Sequence, residues 1–97
     1  ILTARKITSK QALEYGLVSK TVPDVMAASA ELAEEILRNG PIALQQAKFA
    51  IKQGMNADLQ TGLHIERKAY EVTIPTEDRV EALAAFSEKR KPVFKGK

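Results

Sequence analysis

Apolar positions recur at helical spacing through most of the chain, in stretches punctuated by Gly, Pro and short polar runs. After Pro23-Asp24, residues Val25, Leu32, Ala33, Ile36 and Leu37 fall along one stripe while Glu31, Glu34, Glu35 and Arg38 lie mostly outside it. That is the repeat of an amphipathic helix, with Asp24 as its N-cap and its end near Asn39. Gly40-Pro41 stops one helix and starts the next, because Gly suits the position past a helix end and Pro the first turn. The third helix is predicted from Pro41 to about Gln53, with Ala43, Ala47, Ala50 and Ile51 on one side, small residues that favour close helix packing. Gly54-Met55-Asn56 breaks the pattern. Asp58 then caps a fourth helix traced by Leu59, Leu63, Ala69, Tyr70 and Ile74. Beyond Pro75, Thr76 opens a last helix toward Glu88, with Glu77, Asp78 and Glu81 placed in its first turn, where carboxylates offset the helix dipole. Pro92 closes it. Upstream, a short helix is predicted from Ser9, as N-cap, to Tyr15, with Gly16 as its left-handed end, and Leu17 to Val22 alternates like a short extended piece.

The expected class is therefore all-α, five helical segments joined by short turns, with strand signal only near 17–22. Its 97 residues fit one domain, which would bury roughly 60 to 65 % of the unfolded chain's surface. With 44 % hydrophobic and 28 % charged residues the balance is that of a globular chain. The net charge is +3, and the last nine residues hold five cations, Lys89, Arg90, Lys91, Lys95 and Lys97, with no acid. The rest of the chain is near neutral, unlike a nucleic-acid binder with Lys and Arg spread over a face among aromatics. The absence of cysteine excludes disulfides, zinc–cysteine sites and thiol catalysis within this sequence. No apolar run approaches the roughly 20 residues that span a bilayer, and no signal peptide is visible, so no membrane partner is expected. A start at Ile1-Leu2-Thr3 rather than Met reads as a segment of something longer.

Catalytic motifs are missing. There is no Gly-rich phosphate loop and no Ser-centred nucleophile elbow. The single histidine, His64, has Arg67 and Lys68 within one helical turn and reads as a surface or packing residue; no metal site is expected. Glu34 and Glu35 point about 100° apart on a helix and make a poor carboxylate pair. The terminal stretch differs in kind. Phe86 and Lys89 lie three apart and share a face if the last helix carries one residue beyond Glu88. An aromatic surface stacks on a base and an ammonium meets a phosphate, which together describe a nucleotide, including the adenosine end of coenzyme A. On spacing alone a core Phe86 with a solvated basic tail remains the competing reading.

Three stretches, "LTARKITSKQALEYGLVSKTVP", "NGPIALQQAKFAIKQG" and "TIPTEDRVEALAAFSEKRKPVFKGK", come in the order and spacing of the C-terminal motifs of the enoyl-CoA hydratase (crotonase) superfamily. The sequence resembles that family over essentially its whole length, and "IKQGMNADLQTGLHIERKAYEVTIPTEDR" is most similar to its methylglutaconyl-CoA hydratase branch. Ala4 and Ala82 depart from family glycines. The resemblance implies that residues 1–22 are the tail end of a catalytic core and 23–97 a C-terminal helical assembly, or trimerisation, domain. The oxyanion-binding amides and the two glutamates that work on water would lie upstream of Ile1, so no residue here is expected to be catalytic and the 97 residues alone are expected to be inactive. By position, Phe86 and Lys89 fall where the family contacts the adenine and phosphate end of coenzyme A. No cofactor is implied beyond coenzyme A as part of the acyl-CoA substrate. The intact parent would be a homotrimer or dimer of trimers, cytoplasmic if bacterial and in the mitochondrial matrix if eukaryotic, acting in fatty-acid or branched-chain amino-acid degradation. Isomerase or thioesterase chemistry, and a stand-alone assembly module touching RNA through the basic C-terminus, are the alternatives; RNA is not the expected partner.

Overall fold

The computed structural model describes residues 2–97. Five helices follow one another: α1 (Ser9–Glu14), α2 (Val25–Leu37), α3 (Pro41–Gly54), α4 (Leu59–Thr73) and α5 (Glu77–Ser87). No strand occurs among the described residues, as the helical periodicity requires. Residues 17–22 form neither helix nor strand, since no second strand lies there to share a hydrogen-bond ladder.

Helix ends follow local chemistry. The α1 cap is Thr8, one residue before the expected Ser9: its hydroxyl accepts from Gln11 N–H and the Gln11 side chain accepts from Thr8 N–H, a capping box legible as Thr-x-x-Gln. Gly16 closes α1 at φ 70°, with Leu17 N–H bonded to the Ala12 carbonyl at 2.9 Å and Gly16 N–H to Leu13 at 3.0 Å, the paired bonds of a Schellman end. Asp24 accepts from Ala27 N–H. Asn39 lies past the end of α2, and its amide donates to the Glu35 and Ile36 carbonyls that would otherwise be orphaned. Asp58 caps α4 through Thr61, whose hydroxyl and N–H hold the Asp58 carboxyl below its ordinary pKa. Thr76 accepts from Arg79 N–H at the start of α5.

The chain packs as two compact units, Ile1–Ala33 and Glu34–Lys97, and the division falls within α2. In the second unit α3 lies against α4. Gly54 and Gly62 bring the two backbones together: a Cβ added at Gly62 would sit 3.6 Å from the Gly54 carbonyl oxygen.

The expected burial does not occur. Among the described residues only Ala69 and Ala85 are buried apolar side chains, and Leu63, Tyr70 and Leu83 are all more than half exposed. The chain exposes 8685 Å², where a compact monomer of its mass exposes about 5500 Å². The apolar stripes along α2 and α4 form helices with the right period, yet their large side chains stay exposed.

Candidate functional site

The last ten residues, 88–97, return along α5 as a strap rather than trailing into solvent. α5 ends at Ser87 with Glu88 as C-cap, and Lys89 adopts the left-handed conformation, φ 56°. Lys89 N–H donates to the Phe86 carbonyl at 3.2 Å and Arg90 N–H to Ala85 at 3.0 Å. These are the same two bonds that close α1, yet the left-handed position carries Gly16 there and a lysine here. A side chain in that conformation costs about 1 kcal/mol, so the turn at Lys89 is held by contacts outside it.

The contacts come from α5 itself. The Arg90 guanidinium closes on Glu81 as a fork, at 2.5 and 2.9 Å, and its Nε donates to Glu88. Glu81 Oε1 also accepts Val93 N–H at 2.8 Å. Hydrogen bonds from Arg90 and then from Val93 hold the Glu81 carboxyl down at about 2, and the two carboxylates push the Arg90 guanidinium above its ordinary value. Three residues earlier, buried Asp78 accepts Lys95 N–H at 2.7 Å and Gly96 N–H at 2.9 Å, one on each oxygen, while its own N–H donates to the Lys97 carbonyl. Phe94 covers Gly40, whose added Cβ would lie 3.6 Å from the ring. Gly96, at φ 73°, comes within 3.2 Å of Pro41 Cγ measured from an added Cβ. The strap therefore ends beside the α2–α3 junction. A cleft of about 320 Å³ runs between α5 and the strap, with Asp78, Glu81, Val93 and Lys95 in its wall.

Phe86 is 86 % exposed, so within these residues it belongs to no core. The helix stops before Lys89, so the two residues do not share a helical face; a chain reversal links them instead. Among the described residues no ion pair engages Lys89, whereas its neighbour Arg90 is held by two carboxylates. The side chains of Lys91, Lys95 and Lys97 are exposed, but the backbone of 93–97 is tied down, so a free solvated tail is excluded. Glu81 lies beyond the first turn of α5 and binds the strap rather than the helix dipole. Glu81 and Asp78 are the residues that sequence reasoning undervalued: acids near a helix start read as dipole partners, and nothing in one sequence says that an acid will meet backbone N–H groups 12 to 18 positions later. His64 is exposed on α4, and Glu34 and Glu35 are exposed on α2.

A second surface is apolar. Between α3 and α4 a groove of about 560 Å³ is walled by Ala47, Ile51, Met55, Leu59, Gly62 and Leu63.

Similarity to other proteins covers the whole chain. The profile of the family described as "Enoyl-CoA hydratase/isomerase" matches residues 1–97. YngF of Bacillus subtilis (strain 168) is 57 % identical over 98 residues, covering 99 % of this chain and 38 % of that protein. The human mitochondrial methylglutaconyl-CoA hydratase is 46 % identical over 102 residues, covering 99 % of this chain and 30 % of the enzyme. The crystal structure of an enoyl-CoA hydratase from Bacillus anthracis superposes with a TM-score of 0.96 at 49 % identity, covering 100 % of this chain and 38 % of that one. The chain thus spans 30 to 38 % of the length of these relatives.

Proposed function

The chain belongs to the enoyl-CoA hydratase/isomerase family, and from that premise we propose that it is the C-terminal, non-catalytic region of an enoyl-CoA hydratase whose parent adds water across the α,β double bond of an acyl-CoA thioester. In this reading residues 1–22 end the catalytic core and 23–97 form the helical assembly region. The open faces of α2 to α5 take up the remainder of the parent and its neighbouring subunits, in a homotrimer or dimer of trimers. Phe86 and Lys89 meet the adenine and phosphate end of coenzyme A: the ring offers a stacking surface and the ammonium a counter-charge. The location follows the parent's source, cytoplasmic in a bacterium and mitochondrial in a eukaryote; relatives named as mitochondrial support the second case.

The observation that carries this reading is that Phe86 is 86 % exposed and that Lys89, three residues on, sits in a left-handed turn with no ion pair among the described residues. An exposed ring and an unneutralised cation three residues apart suit a base-and-phosphate ligand. In the full-length parent, Phe86→Ala and Lys89→Ala are each expected to raise the Michaelis constant for acyl-CoA roughly tenfold, equivalent to about 1.4 kcal/mol, with kcat little changed, because neither group touches the reacting carbons. An unchanged Michaelis constant in both variants would remove the coenzyme role.

A further inference from the structure

We infer that Glu81 is a positioning residue for the coenzyme site: through Arg90 it fixes the turn that carries Lys89 and thereby holds Phe86 and Lys89 in the arrangement that receives the ligand. The inference rests on the coenzyme reading of those two residues. Three observations support it. Lysine occupies a left-handed helix end where the equivalent end of α1 has glycine, so the local sequence does not by itself prefer this turn. The residue that completes the turn, Arg90, donates its backbone N–H to Ala85 and both ends of its guanidinium to Glu81. Glu81 binds again at Val93 N–H, so one carboxylate grips the strap on both sides of Lys91 and Pro92.

The same ion pair sorts the charges. Glu81 and Glu88 occupy Arg90, which leaves Lys89 as the adjacent cation available to a phosphate. A planar guanidinium suits the bidentate structural role and a point-like ammonium suits the phosphate. Without the carboxylate at 81, Arg90 would keep only Glu88, its neighbour within the same turn, the turn at Lys89 would lose its anchor to the body of α5, and the lysine would sample the right-handed and extended conformations it ordinarily prefers. Asp78 holds the far end of the strap, at residues 95–97, independently of this turn.

The experiment uses the full-length parent with two substrates, crotonyl-CoA and crotonyl-pantetheine, the latter lacking the adenosine phosphate end. Glu81→Gln is expected to raise the Michaelis constant for crotonyl-CoA about five- to tenfold and to leave crotonyl-pantetheine kinetics within twofold. In a Lys89→Ala background the same substitution should add less than a twofold further loss. Equal impairment on both substrates, or full additivity with Lys89→Ala, would show a general structural role and overturn the inference. If Lys89→Ala weakens crotonyl-CoA but Glu81→Gln does not, positioning fails while the coenzyme reading stands; if Lys89→Ala has no effect, the coenzyme reading fails and the inference with it. Should Glu81→Gln not accumulate as folded enzyme, Arg90→Lys, which keeps the charge but removes the fork, is measured in the same way with the same expected split.

Discussion

Glu81 accepts from Arg90 and Val93 at once, and both bonds favour the ionised carboxyl, whose pKa falls from 4.5 to about 2. A depressed acid stabilises the folded arrangement wherever it is ionised in both states, so its contribution is complete above pH about 4.5 and disappears as the pH falls through about 2. Val93 amide exchange should therefore remain protected at pH 4 and lose protection toward pH 2, and Glu81→Gln should abolish that pH dependence; a Val93 amide already unprotected at pH 5 would contradict the bond. Two positive-φ positions among the described residues lack glycine. Lys89 is supported by the Arg90 fork, whereas nothing in the structure explains the left-handed conformation of Ala4, at φ 49°.

At the scale of elements, caps were legible and packing was not. Asp24, Asp58 and Thr76 are read directly as N-caps because the side chain needs only N–H groups three residues away. The alanines of α3 pointed to close packing, and α3 does lie against α4, but the backbones come close at Gly54, which the sequence pattern treats as a break, and at Gly62, which it does not single out. Gly62 sits inside α4, and an added Cβ would meet Gly54 at 3.6 Å, an ordinary contact distance. Gly62→Ala should therefore stabilise α4 by about 0.5–1 kcal/mol through the reduced freedom of the unfolded chain. Circular dichroism of the 97-residue chain should show a higher helix content and melting temperature; a drop would mean that the helices have to approach more closely than the structure shows. The turn at Lys89 belongs to the same lesson. Sequence spacing joined Phe86 and Lys89 by extending a helix, while the actual link is the helix's end, since Arg90 bonds back to Ala85 and the ladder stops.

For the whole molecule, 8685 Å² of exposed surface and more than twenty large apolar side chains left open place the 97 residues well outside the range of a self-sufficient monomer. The isolated chain is expected to self-associate with rising concentration and, as the non-catalytic region of the proposed parent, to show no turnover of crotonyl-CoA. Sedimentation showing a strictly monomeric species at high concentration, or measurable hydration, would refute these expectations. What the sequence determined by itself was local: five helices, their caps, the breaks between them, and the family, because these depend on neighbours within about four positions or on motifs in fixed order. Tertiary structure alone decided which apolar stripes stay uncovered and that the basic C-terminus folds back as a strap. Those outcomes depend on contacts between residues 12 to 18 apart, such as Asp78 with Gly96 and Glu81 with Val93, and on surfaces whose partners are not encoded in any periodicity. The terminal lysines look alike in the sequence; Arg90's grip on Glu81 is what sets Lys89 apart from the rest.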